Sequence, residues 1–323
     1  MSPLVVMLAG GLRSGSLRSQ LGFPTAGMPL DAECTLLQAW LDLIAKTPQL
    51  ANSDLLIACN NARDRDWFTA ESRRGPSGTR PPKVVVDPRP HRGVAGMLAD
   101  LQEEIDGAES YVVIELSSLP PATLEGLMAD SDAGQPNASM RVGVGPESRW
   151  SGAYRLDAAL LQHVTTLGYV DLKEQFVPQL LTKGYRIEAV EFGDTAVQIS
   201  DRRNYLRAVR IWRARSGFAA ERTDFVSGFS VVCPGVELGD GSHVADSAVL
   251  PGAVLGEGAV VARSVIGPMI RVPDGAVIVD AILSDPDAVP TRVGGRLEIP
   301  FERSEAGAAP RATNTAIPWS IQS

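Results

Sequence analysis

An apolar run at the start of the chain, Leu4-Val5-Val6-Met7-Leu8-Ala9, ends abruptly in Gly10-Gly11. Glycines placed directly after a strand let backbone N–H groups come close to a base or a phosphate. A second small-residue turn, Gly93-Val94-Ala95-Gly96, follows the Val84-Val85-Val86 strand and opens a helical stretch. Such a turn suits a nucleotide contact, and a plain strand-to-helix turn needs small residues just as much. Other chemistry-bearing residues form no cluster in the sequence. His91 and His163 lack metal-ligand spacing and read as surface or interface residues. Cys34, Cys59 and Cys233 are far apart with no CxxC pair, which indicates reduced, buried thiols and neither a disulfide frame nor a zinc site.

These turns must be held by a sheet. Leu4–Ala9 is apolar on both faces, as a central parallel strand is. Strands are also predicted over Asp54–Cys59, Val84–Val86 and Tyr111–Leu116, and helices over residues 35–46, Met97–Ile105 and Asp201–Arg215. A further helix over Asp171–Gly184 should kink or break at Pro178. Residues 71–82 and 130–139 are loops rich in Gly, Pro, polar or charged residues. Strands alternating with helices imply a Rossmann-like α/β domain, a mostly parallel sheet with helices on both faces. Net charge is −8 with no basic patch, which disfavours nucleic acid as a partner. The opening apolar run is too short for a membrane span or signal peptide, so the expected compartment is cytoplasmic.

From Val226 the pattern changes. Aliphatic residues fall six apart at Val232, Leu238 and Val244, again at Val249, Leu255 and Val261, and again at Ile266, Val272 and Ile278. Each triplet starts five residues after the last ends, and Leu283 opens a fourth. This is the hexapeptide repeat of a short left-handed parallel β-helix, with each aliphatic residue pointing into a three-sided prism. About three coils is near the minimum for a solenoid, so this part should lean on the first domain or on another chain. The expected organisation is an α/β domain over 1–215, a linker over 216–228, the β-helix over 229–284 and a partly flexible tail over 285–323.

The order of parts resembles the sugar-1-phosphate nucleotidyltransferases, such as mannose-1-phosphate guanylyltransferase, over roughly residues 4–284. Leu8-Ala9-Gly10-Gly11-Leu12-Arg13-Ser14-Gly15-Ser16-Leu17 is similar to the family's LAGGxGTRL, and Pro24-Thr25-Ala26-Gly27-Met28-Pro29-Leu30 to its PKPLLPV. Asp87 to Gly96 resembles EPLGTAGAL, Ser151 to Asp157 resembles SGIYVFD, and Asp171 to Leu181 resembles DLKEQLIPRLL. The last of these is the longest and most specific match. The resemblance implies that Ala9, Gly10, Gly11, Gly93, Ala95 and Gly96 border a nucleotide, and that Gly152 and Glu174 lie beside a sugar.

The same alignment removes the chemistry. Transfer at an α-phosphate needs Mg²⁺ held by carboxylates, and fixed cations for the developing charge. Gly15 stands at the family's loop arginine, with Arg13 and Arg18 nearby, and Thr25 stands at its lysine. Ser117 and Gln198 replace its two metal aspartates; Glu115 lies two residues back on the same strand face, and Asp194 and Asp201 flank Gln198. The leading expectation is a catalytically impaired homologue that binds a nucleotide or nucleotide sugar, or regulates an active paralogue, and that forms a homo-oligomer or such a mixed complex. The alternative is an active sugar-1-phosphate nucleotidyltransferase in which Glu115, Asp194 or Asp201 and Arg13 or Arg18 have taken over the catalytic roles, with Mg²⁺ as the cofactor. A third reading, a hexapeptide acyltransferase with His243 as base, weighs less: acyltransferases usually need more coils, and His243 precedes an inward valine.

Overall fold

The computed structural model describes residues 2–9, 16–75, 80–87, 89, 92–104, 108–129, 139–193, 196–217, 221–223 and 225–285. Gly10, Gly11, Arg13, Gly15, His91, Ile105, Asp194 and the tail after Asp285 lie outside them.

The α/β part is built on a seven-stranded sheet. Its strands are β1 (Leu4–Leu8), β2 (Leu55–Cys59), β3 (Lys83–Val86), β4 (Ser110–Glu115), β5 (Ser139–Gly145), β6 (Arg149–Asp157) and β7 (Arg186–Glu191), in the order β3-β2-β1-β4-β6-β5-β7. Only β6 runs against the rest. The helices are α1 (Ser16–Leu21), α2 (Leu36–Lys46), α3 (Ala62–Glu71), α4 (Gly93–Glu104), α5 (Glu125–Met128), α6 (Val177–Thr182) and α7 (Arg202–Arg215).

The continuous apolar run of β1 serves two cores at once. Val5 and Met7 pack with Leu36, Trp40 and Ile44 of α2, and Leu4, Val6 and Leu8 pack with Ala95 and Leu98 of α4 and Leu180 of α6. Alternation sends neighbouring residues to opposite faces, so a strand covered on both sides must be apolar throughout. Helix α2 begins where a capping box makes it begin: Thr35 accepts from the Gln38 backbone and the Gln38 side chain accepts from the Thr35 backbone.

The segment resembling DLKEQLIPRLL is broken, as Pro178 requires, but the break precedes the proline. Leu172–Phe176 forms a π-helical turn capped by Asp171, and α6 starts anew at Val177 with Pro178 in its first turn. There the missing N–H costs nothing, because first-turn donors have no partner within the helix.

Beyond α7, β8 (Glu221–Arg222) and β9 (Val226–Gly228) lead into three parallel faces. One face stacks Val231–Val232, Ala248–Val249, Val265–Ile266 and Ile282–Leu283; the second stacks Glu237–Leu238, Val254–Leu255 and Arg271–Val272; the third stacks β9, His243–Ala245, Val260–Ala262 and Val277–Val279. The fold is thus a mostly parallel α/β sheet followed by a short left-handed parallel β-helix. Of the nine spaced aliphatic positions, Val244, Val249, Leu255, Val261, Ile266, Val272 and Ile278 are buried; Val232 and Leu238, in the first coil, are half-buried.

The β-helix leans on the α/β part through the residues that point out of its first face. Val231, Cys233, Ala248, Leu250 and Val265 share one continuous apolar cluster with Tyr205, Ala208 and Val209 of α7 and with Val5 and Met7. Arg202 pairs with Asp280 at 2.9 Å, and Arg213 donates to the Ser230 carbonyl.

One corner of the coils carries a ladder of buried serines, Ser230, Ser247 and Ser264. Each hydroxyl accepts the backbone N–H one coil on: Ser247 N to Ser230 at 3.2 Å, Ser264 N to Ser247 at 3.0 Å and Ala281 N to Ser264 at 3.1 Å. Ser247→Ala leaves the Ser264 N–H without its acceptor, and the expected cost is about 1–3 kcal/mol. A urea melt that leaves the midpoint unchanged would show that the ladder adds nothing to stability.

Candidate functional site

The chemistry-bearing side chains meet where β4 ends. Glu115 is its last residue, in register with Leu8 of β1, and the Leu116 N–H bonds to the Leu8 carbonyl at 2.9 Å. Glu115 therefore stands beside Leu8 at the carboxyl end of the parallel strands, the edge where open α/β sheets bind ligands. Ser117 lies in the turn beyond, so it does not share a strand face with Glu115 as its spacing suggests. The two converge through Gln198.

Ser118 forms an isolated antiparallel bridge with Gln198, and the Ile199 N–H bonds to the Ser117 carbonyl at 2.7 Å. This pins the segment around Gln198 across the end of β4. The Gln198 amide donates to Glu115 Oε2 at 2.7 Å and to Ser117 Oγ at 3.2 Å. The other Glu115 oxygen, Oε1, is 3.2 Å from the Lys173 ammonium, which also sits 5.2 Å over the Trp150 ring. Trp150 and Gly152 belong to β6, and Gly152 lies tight against this cluster: a Cβ there would come 2.7 Å from the Ser118 Cβ, and its φ of 82° already favours glycine. Tyr154, fully buried nearby, has its phenol held well above the usual range by burial, then by Glu115 and Asp171, so it stays neutral.

The other sequence candidates are occupied by the fold. Arg18 pairs with Asp64 of α3 at 2.5 Å and reaches the Ala9 carbonyl at 3.5 Å, so its guanidinium is engaged within the protein. Asp201 caps α7, accepting from the Asn204 backbone at 2.9 Å. Gly93 adopts a φ of 75° at the start of α4, where the Val170 carbonyl leaves no room for a Cβ. Ala95 is fully buried in the core and Gly96 packs on the Arg92 side chain. Arg92 in turn ties α4 to the loop before Asp171 through Asp100 and the carbonyls of Thr165 and Gly168. Glu174 is exposed in the turn that carries Lys173. His243 bonds to Ser227 at 3.0 Å and His163 to Tyr185 at 2.7 Å.

This donor set does not suit Mg²⁺. The cation prefers carboxylate and water oxygens in octahedral array. Here Ser117 and Gln198, which the sequence resemblance aligns with metal-binding aspartates, offer a hydroxyl and an amide. The nearby carboxylate has one oxygen on an ammonium and the other on that amide. Among the described residues, no group of three or more His, Cys, Asp or Glu side chains is placed to hold a metal ion. Lys173, with the Trp150 ring beneath it, is missed by sequence reasoning. It lies inside the most specific of the matched motifs, but nothing in its spacing points to Glu115.

No curated protein matches the chain. Among solved structures it is similar to the crystal structure of the Mycobacterium tuberculosis rv0371c homolog from Mycobacterium sp. strain JC1. Identity is 18% over 66% of this chain and 98% of that one, with a TM-score of 0.46, too low to bear on function. No helix among the described residues is long and apolar enough to cross a membrane. Residues 225–288 match the family model described as GlmU-like, C-terminal hexapeptide, so the coils at the end of this chain are hexapeptide repeats.

Proposed function

We propose that this chain is a catalytically impaired relative of the sugar-1-phosphate nucleotidyltransferases that binds a nucleotide sugar at the carboxyl end of its sheet, by itself or beside an active paralogue. The observation that carries this reading is the hydrogen-bonded set Gln198–Glu115–Lys173. It supports the reading because it offers a single carboxylate, already paired, whereas that chemistry calls for two free carboxylates and a divalent cation. The hexapeptide match supports the relationship. In the sequence the opening strand runs into Gly10-Gly11, residue types suited to a phosphate or base, and Gly152 and Glu174 are the candidates for contact with the sugar.

A thermal-shift panel of nucleotides and nucleotide sugars tests the binding. A ligand at 100 times its Kd adds about 2.7 kcal/mol to stability, several degrees in Tm for a chain of this size. At least one nucleotide sugar is expected to give such a shift. A panel in which nothing moves the melting temperature would sink the proposal.

A further inference from the structure

We infer that Lys173 supplies the positive charge for a ligand's phosphates in place of a divalent cation, and that the ligand is a nucleoside diphosphate sugar and not a nucleoside triphosphate. This rests on the nucleotide-binding reading above. The Lys173 ammonium lies 3.2 Å from Glu115 Oε1 and 5.2 Å from the Trp150 ring centre, and its side chain is 37% exposed. An ammonium has three donors. Glu115 takes one, the ring face steadies the charge from a second side, and the exposed part remains for an anion. The cluster stands at the end of β4 beside Leu8, at the carboxyl edge of the sheet where open α/β sheets bind ligands.

The charges select the ligand. A free triphosphate brings about four negative charges, and a diphosphate esterified at both ends about two. Lys173 and Glu115 together sum to zero, so the site tolerates the smaller charge better. Glu115 also competes with the ligand for the same ammonium. Its role is therefore opposite to that of a metal ligand, and the two roles give effects of opposite sign when its charge is removed.

Isothermal titration of the full chain decides between them, using UDP-glucose, GDP-mannose, ADP-glucose, dTDP-glucose, ATP and GTP in EDTA and again in Mg²⁺. At least one nucleotide sugar is expected to bind in EDTA, with a Kd within about twofold of that in Mg²⁺ and below that of either triphosphate. Lys173→Met is expected to weaken it about tenfold or more, and Glu115→Gln to tighten it severalfold by freeing the ammonium. Binding that requires Mg²⁺, weakening by Glu115→Gln, a folded Lys173→Met protein with unchanged Kd, or a triphosphate that binds tighter than every nucleotide sugar would each overturn this inference while nucleotide binding itself stands. Should Lys173→Met fail to fold, the sign of the Glu115→Gln effect still decides. If none of the six compounds binds in either buffer, the nucleotide-binding reading fails as well.

Discussion

Leu255→Asp is expected to unfold the β-helix and to destabilise the α/β part with it. Leu255 is buried inside the second face, in register with Leu238 on one coil and Val272 on the next. A carboxylate there has no partner and no water, at a cost of several kcal/mol. Domains have only about 5–15 kcal/mol of stability in total. The damage should spread, because Val231, Ala248 and Val265 of the coils share an apolar cluster with Tyr205 and Val209 of α7. Losing the coils uncovers that cluster. The control is Val254→Asp, one residue earlier on the same strand and only half-buried; a cost of about 1 kcal/mol or less is expected there, within the spread of strand propensities. Circular dichroism through a urea titration reads both. Equal midpoints for the two variants would mean that Leu255 does not face the prism.

The repeat was the most legible part of the chain because its spacing is imposed by geometry. Inward positions must recur with the coil, and the eye finds them without any knowledge of partners. The same holds for β1, whose unbroken apolar run reports two covered faces. Helix α3 is illegible for the opposite reason. Its sequence Ala62–Glu71 buries only Asp64 and Phe68, so it carries no apolar stripe to read. The edge strand β7 hid likewise, since its residues are half-buried or exposed.

The site was legible in outline and illegible in its interior. Alignment placed Ser117 and Gln198 at corresponding positions, and the fold does bring them within 3.2 Å. That Glu115 is bonded to both Gln198 and Lys173 depends on three segments far apart in the chain meeting at one strand end. No periodicity encodes such a meeting. The position of Glu115 in the sequence is compatible with a metal ligand, and only the geometry shows what holds it.

That geometry predicts an absence of turnover. Supplied with Mg²⁺, any of the four common nucleoside triphosphates and glucose, mannose or N-acetylglucosamine 1-phosphate, the purified chain is expected to release pyrophosphate at least about 10⁴-fold below the ordinary enzyme rate of roughly 10 s⁻¹. The triphosphate's charge of about −4 must be approached by a sugar phosphate carrying about −2. Each missing electrostatic contact in such a reaction costs roughly 10²–10³ in rate. Ser117, Gln198 and Thr25, which the sequence resemblance aligns with two metal-binding aspartates and a lysine, bring no charge. Arg18, the described arginine nearest the opening loop, is engaged with Asp64. Glu115 would have to release both Lys173 and Gln198 before it could bind a cation, and it would then be a single carboxylate where two are needed. Two such losses already reach the expected deficit. A coupled pyrophosphate assay reads the rate, and turnover near 10 s⁻¹ with any pair would reverse the conclusion. In that event Glu115→Gln separates the remaining explanations: an inactive variant would put the metal on Glu115 after the ion pair opens, and an active one would put the catalytic charge on residues outside this cluster.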